Sequence, residues 1–353
     1  MKTDFELALE RLGQDPTNIP YRTLAMLSGP SRAERAAFAE FWVTLNIEAR
    51  RAIITRMFET SEDSFELDFQ DLFRHCLADP DATVRCYAVE GLWEDERTDL
   101  ISHLLRLVVH DPDNDVRAAA ATSLGRFLYL AECEELAPRY AQNIRDTLER
   151  IILDHSEPIS VSRRALESLA HVSDERIRGL IDWAYEQGDE LLRVSAVFAM
   201  GRSAESTWSD VVLQELESGS PDIRYEAARA CGEIQIQRAV EPLIALTDTR
   251  DRDIQMVAIW SLGQIGGDRA RQVLEQLAAS TDDDLAEAAS EALADLEFGI
   301  MSMDLLVHEY DDSLSQDLLT DVEDEDDSDE DQDANAENAE DPWEDEPLDL
   351  DNQ

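Results

Sequence analysis

The sequence predicts an all-α fold, a superhelical α-solenoid of antiparallel helix pairs, on three observations. Alanine recurs at Ala88, Ala120, Ala165, Ala196, Ala227, Ala258 and Ala289, at separations of 32, 45, 31, 31, 31 and 31 residues, the signature of a repeat array with one insertion. Four residues before each alanine stands Val84, Val116, Val161, Leu192, Ile223, Ile254 or Leu285, and four after it Leu92, Leu124, Leu169, Met200, Cys231, Leu262 or Leu293. Steps of four place the three columns on one helical face. Five residues after the alanine comes a second small column, Gly125, Ala170, Gly201, Gly232, Gly263 and Ala294, with Trp93 as its exception. Glycine inside a helix costs about 0.5–1 kcal/mol relative to alanine, so close approach of a neighbouring backbone, or the end of the helix, is expected there.

Each unit of about 31 residues reads as helix, turn, helix. The first helix is clearest at 97–111, where Leu100, Ile101, Leu104, Leu105 and Val108 recur at steps of three and four. The turn is written "DPDATVR" at 79–85 and "DPDNDVR" at 111–117. Pro80 and Pro112 stop the first helix, and Asp81, Asp113, Asp189, Asp251 and Asp282, each seven residues before its alanine, are candidate N-caps of the second. Such units cannot bury an apolar stripe alone, so they stack.

Three regions follow. Residues 1–64 form an N-terminal helical cap, with Phe38, Phe41 and Trp42 as its packing face; residues 65–299 hold seven repeats, with the insertion near 128–138 expected as a lengthened loop; residues 300–353 form an acidic, mostly disordered C-terminal tail. Of the 53 residues from Met301 onward, 23 are Asp or Glu, and no Lys or Arg follows Arg271. The chain carries a formal charge of −50 from 80 acids and 30 bases; residues 1–300 keep 57 acids against all 30 bases, a net of −27. Both parts repel polyanions, so neither nucleic acid nor an anionic membrane surface is an expected partner.

The pattern D-x-x-V-R-x-x-A-x-x-x-L-G, as in "DNDVRAAAATSLG" and, more loosely, "RDIQMVAIWSLGQIG", resembles HEAT repeats, in particular the short HEAT-like class of phycobilin lyases and deoxyhypusine hydroxylase. The resemblance implies an armadillo-like helical scaffold but not an activity. In such arrays the turn aspartate and the following arginine form a ladder between units. Here that implies an acidic column of Asp115, Asp222, Asp253 and Asp284 and a basic one of Arg85, Arg117, Arg193 and Arg224, fading where Gln255 and Ala286 replace the arginine.

No catalytic, cofactor or metal site is expected. Deoxyhypusine hydroxylase holds iron with His-Glu pairs on successive repeats, whereas the His-Glu dipeptide of this chain is His308-Glu309, beyond the last repeat. The six histidines show no HxxxH or HExxH spacing, and Cys76, Cys86, Cys133 and Cys231 no CxxC, so the thiols read as small buried fillers in a reducing cytosol. "DVEDEDDSDEDQD" lacks the glycine and terminal glutamate of a calcium loop. The N-terminus has no apolar signal core, and no stretch reaches the ~18 apolar residues of a membrane span. A soluble, cytoplasmic protein is expected.

Function is sought in the columns that vary. Rows two residues before, two after and six after each alanine face the expected concave surface and bring together Arg126, Arg163, Arg202 and Arg229 with Phe198, Tyr225 and Trp260; Arg164 adjoins them. Aromatics beside arginine have the composition of an interface hot spot. The reading is a noncatalytic protein-interaction scaffold that binds an acidic or amphipathic peptide. The tail carries motif-like residues, Leu305, Leu306, Tyr310 and Trp343, and is a candidate to dock in its own groove. The arginines could instead pair locally with Glu167 and Glu226, the tail could act only as a solubilising chain, and a HEAT-like lyase or hydroxylase acting on a protein-bound group is the alternative function class.

Overall fold

The computed structural model describes residues 2–64 and 66–298, and every regular element among them is helical. The tail residues 299–353, including the motif positions Leu305, Leu306, Tyr310 and Trp343 and the expected tail contact, lie outside the described residues.

Eighteen helices follow in chain order: α1 Asp4–Gln14, α2 Tyr21–Ala25, α3 Arg32–Trp42, α4 Ile47–Asp63, α5 Gln70–Cys76, α6 Ala82–Glu90, α7 Asp99–His110, α8 Asn114–Glu132, α9 Pro138–Leu153, α10 Ile159–Leu169, α11 Glu175–Glu186, α12 Glu190–Arg202, α13 Ser209–Glu215, α14 Pro221–Glu233, α15 Val240–Leu246, α16 Arg252–Ile265, α17 Asp268–Ala278 and α18 over 283–298. From α5 onward they form seven pairs. The second helix of each pair packs on its own partner and on the second helices of the neighbouring pairs, giving the antiparallel stack of an α-solenoid.

The alanine column is the seam of this stack. All seven alanines have no solvent exposure, and the aliphatic residue four before each is buried in the first six units. A larger group at the seam would overpack at about 1–3 kcal/mol. The glycines five residues on take the next second helix at backbone contact. A Cβ on Gly125 would lie 3.1 Å from Ser168 Cα, on Gly232 2.9 Å from Ser261 Cα, and on Gly263 3.1 Å from Ala292 Cα. The same approach lets Ser168 Oγ donate to the Ala121 carbonyl at 2.9 Å and Ser261 Oγ to that of Ala228 at 2.8 Å. Close helix packing thus explains the glycines.

Each predicted aspartate caps its helix: Asp81 accepts from Val84 N, Asp113 from Asp115 N and Val116 N, Asp189 from Leu192 N, Asp251 from Ile254 N and Asp282 from Leu285 N. Such a cap contributes about 1 kcal/mol.

The arginine ladder exists, but its acids come from another column. Arg85 donates from Nε and Nη2 to Asp111 at 2.7 and 2.6 Å and from Nη1 to the Asp79 carbonyl at 2.8 Å. Arg50, on α4, reaches Asp79 at 2.9 Å. Arg117 pairs with Glu157 and with the Val108 carbonyl, and Arg193 with Glu215. The partners Asp79, Asp111 and Glu157 each precede the turn proline, whereas Asp115, Asp222 and Asp253 stand in the first turn of the second helix. The reason is directional: side chains lean toward the helix N-terminus, so an arginine near the start of a second helix points back over the turns. Arg224 bonds only the carbonyls of its own turn, Ser218 and Gly219, and Gln255 bonds the Thr247 carbonyl, so the inter-unit ladder fades there. At the far end Arg252 takes Asp282 and Asp284 instead.

Two further expectations are corrected. The insertion makes no long loop: its first residues extend α8 to Glu132 and bury Leu128, its last, Pro138, opens α9, and the short connection 133–137 between them packs Leu136 into the core. Of the cysteines, Cys76 and Cys231 are buried, but Cys86 is half-buried and Cys133 exposed at the end of α8. No helix among the described residues is long and apolar enough to cross a membrane. In the N-terminal region Phe38 and Trp42 are buried, their rings 5.1 Å apart, and Trp42 Nε1 donates to Asp79 at 2.8 Å, while Phe41 lies against Gly13.

Candidate functional site

The second helices α8, α10, α12 and α14 wall a cavity of about 660 Å³, within the range of ligand-binding clefts. Six of the eight arginine and aromatic positions singled out by register, Arg126, Arg163, Arg164, Phe198, Arg202 and Arg229, line it. Tyr225 lies in a neighbouring depression among Asp222, Asp251 and Asp253. Trp260 is about one third exposed and packs over the Gly232 position.

Register explains the convergence. Residues two before, one before, two after and six after the alanine flank the buried seam on one side of each second helix, and stacking aligns them between units. Most side chains of the middle units are at least partly buried in these rows, Thr122 and Arg164 being exposed, and Glu90 at one end and Glu287 and Glu291 at the other are exposed as well. The face is deepest where its arginines gather.

Two carboxylates organise four arginines. Glu167 pairs with Arg164, lies 3.9 Å from Arg163, and accepts from Ser195 Oγ at 2.5 Å; Ser195 in turn accepts from Arg163 Nε at 2.8 Å. Glu233 lies 3.4 Å from Arg202 and 3.2 Å from Arg229. Gly201 makes room for it, since a Cβ there would stand 2.6 Å from Glu233 Oε2. The Phe198 ring has two cations over it, the guanidinium carbons of Arg202 and Arg229 each 5.4 Å from its centroid, a favourable cation–π arrangement. Local pairing of the arginines with Glu167 is therefore real, but Glu226 contributes no such hydrogen bond.

Trp93, Tyr129 and Glu226 line the cavity from outside the three expected rows. Trp93 breaks the small-residue column and its carbonyl accepts from Arg126 Nη1. Tyr129 comes from the inserted segment and meets His171 edge to face at 5.8 Å. Glu226 holds the position just before the alanine, the same register as Arg164, and that equivalence was the available signal.

Burial sets the titration of the site. Glu226 is raised to about 7, first by burial, with Glu167 and Glu233 adding to the effect and Arg229 and Arg202 opposing it. Glu233 is raised in the same direction by burial, and His171 is lowered by burial and by Arg202. Arg126 is lowered to about 10 by burial. Among the described residues, Glu226 Oε2 and Arg126 Nε and Nη2 are buried without a hydrogen-bond partner, which is costly unless something else satisfies them. No group of three His, Cys, Asp or Glu side chains converges as a metal site would require among the described residues.

A stack of helix pairs, sealed by alanines and lined by variable columns, defines the class: an α-solenoid repeat protein. The chain carries HEAT-like repeats: the family model of HEAT repeats matches residues 70–150 and 209–294. Its fold is similar to that of the CpcE–CpcF complex of phycocyanin lyase from Nostoc sp., at 16% identity over 70% of this chain and 94% of that one, TM-score 0.49. Human deoxyhypusine hydroxylase is similar at 16% identity over 83% of this chain and 97% of that one, TM-score 0.33. Importin beta is similar at 16% identity over 82% of this chain and 44% of that one, TM-score 0.45. No curated protein sequence matches the chain significantly.

Proposed function

We propose that the protein is a noncatalytic interaction scaffold that binds an acidic, amphipathic peptide of a partner protein in the cavity walled by α8, α10, α12 and α14. HEAT-like solenoids typically serve as protein-interaction scaffolds, which fits this reading at the level of fold. The observation that carries it is the gathering of five arginines around one cavity of a strongly acidic chain. Trp93, Tyr129 and Phe198 stand among them and supply rigid apolar area. Arginine presents a planar fork suited to carboxylates, and the acidity of the remaining surface disfavours acidic peptides elsewhere.

The sequence beyond residue 300 has the composition of such a ligand, so a fluorescein-labelled peptide carrying residues 341–353, "DPWEDEPLDLDNQ", is a suitable probe. Its fluorescence anisotropy on titration with the protein should report saturable binding that weakens with salt. Replacing Arg164 and Arg202 together by Glu should reduce affinity at least about tenfold, a change of about 1.4 kcal/mol. Unchanged affinity in that variant would remove the reading.

A further inference from the structure

The charges in the cavity do not balance, and the imbalance specifies what the cavity takes. Arg163 and Arg164 share Glu167, and Arg202 and Arg229 share Glu233. Each guanidinium has five N–H donors and each carboxylate about four acceptor sites, so two carboxylates cannot satisfy four arginines. A third carboxyl is present, yet Glu226 Oε2 has no hydrogen-bond partner although Arg202 and Arg229 are near. Were Glu226 ionised and paired, it would supply the missing counter-charge from within the protein. Half-buried and near Glu167 and Glu233, it is pushed toward the neutral acid, the form it keeps below about pH 7. A neutral carboxyl differs from a carboxylate in one respect that matters here: it carries an O–H donor. The wall therefore offers fixed cations and one acid proton against too few acceptors.

Resting on the acidic-peptide reading, we propose that Glu226 is the specificity-determining residue of the cavity: as a carboxylic acid it donates a hydrogen bond to a carboxylate side chain of the bound peptide, which Arg202 and Arg229 hold from the other side. The ligand carboxylate stays ionised and Glu226 keeps its proton, so binding at or above neutral pH takes up a proton from solvent. A ligand without a carboxylate leaves both the acid and the cations unmatched.

The surrounding groups make Glu226 the group that titrates near neutrality. From α10 and the turn after it come Arg163, Arg164, Glu167 and His171; from α12, Arg202; from α14 itself, Arg229 and Glu233; from α8, Arg126. His171 is shifted toward the neutral form, Arg126 stays charged below about 10, and Glu233 is raised by burial against the opposing pull of Arg202 and Arg229. Free Glu226 loses its proton as pH rises through about 7, so the competent state becomes scarcer and affinity falls with rising pH. The peptide's own carboxylates, with ordinary values near 4, do not titrate in that window.

The test uses the full chain and the labelled 341–353 peptide, with anisotropy titrations between pH 6 and 8.5 at constant ionic strength. In the wild type the dissociation constant should rise about tenfold per pH unit above 7, as required when one proton must be bound for the ligand to bind. Glu226→Gln, an uncharged donor of similar shape, should bind at pH 8 as tightly as the wild type at pH 6 and show no slope; Glu226→Ala should bind weakly throughout. A flat wild-type profile, or a slope retained in Glu226→Gln, overturns the role of Glu226. If binding is flat but still lost on reversing Arg164 and Arg202, the peptide reading stands without it. No binding at any pH, to the full chain or after removal of residues 299–353, overturns both.

Discussion

Arginines three residues before the seam alanine and arginines one or two residues before it are neighbours in sequence register, yet they meet different fates. Arg85 and Arg117 point back over the turns, where acids and carbonyls take up their guanidinium groups. Arg163 and Arg164, with Arg202 and Arg229 on the following helices, turn into a cavity and share two carboxylates between four cations. One set closes the structure on itself and the other leaves hydrogen-bonding capacity open. In a solenoid, then, the role of an arginine is decided by its register against the packing seam rather than by its identity, and the comparison can be pressed at graded cost.

The largest effect is expected at the turns. The Arg85 and Asp111 side chains are only 9% and 4% exposed, and breaking a buried pair from one side leaves an uncompensated charge. Arg85→Ala should therefore lose about 3–5 kcal/mol in denaturant unfolding followed by circular dichroism, with binding of the labelled peptide unchanged. Next comes the seam. Gly232→Ala puts a Cβ 2.9 Å from Ser261 Cα and should cost about 1–3 kcal/mol, whereas Gly219→Ala, which meets nothing within 4 Å, serves as the neutral control.

Glu226 gives a smaller effect with a defined sign. Its carboxyl is raised to about 7 from an ordinary 4.5, so the native state holds this proton more tightly than the unfolded chain. The destabilisation is absent below pH 4.5, grows through the interval, and is complete above 7. Glu226→Gln should accordingly unfold like the wild type at pH 4 and be more stable at pH 8 by about 1–3 kcal/mol, the range allowing for partial solvation. Smallest of all is the stability change for Arg164→Glu: its side chain is 46% exposed, and a change within about 0.5 kcal/mol is expected. Any larger loss would mean that Arg164 belongs with the turn arginines.

The parts of this division that were legible in the sequence are those that repeat. Ala88 through Ala289, the capping aspartates and the glycines that admit Ser168 and Ser261 recur at fixed spacing because each meets the same neighbour in the next unit. The ladder acids were misassigned because Asp111 and Asp115 both flank the turn, and only the direction of the Arg85 side chain distinguishes them. Within the cavity, register brought Arg126, Arg163, Arg202 and Arg229 to one face, but it also included Tyr225 and Trp260, which stand toward the acidic neighbouring depression and over Gly232. Tyr129 could not be found by period, since it belongs to the one segment that breaks it. The protonation of Glu226 depends on burial among Glu167, Glu233 and two arginines from three helices, a three-dimensional property with no linear signature.

The central claim, that turn arginines hold the array and cavity arginines bind, is tested most directly by titrating the labelled 341–353 peptide into three proteins: wild type, Arg85→Ala, and the Arg164→Glu, Arg202→Glu double variant, each kept in conditions where circular dichroism shows it folded. The account predicts equal affinity for the first two and a loss of at least about tenfold for the third. Equal affinity for all three, or a loss in Arg85→Ala matching that of the double variant, would contradict it.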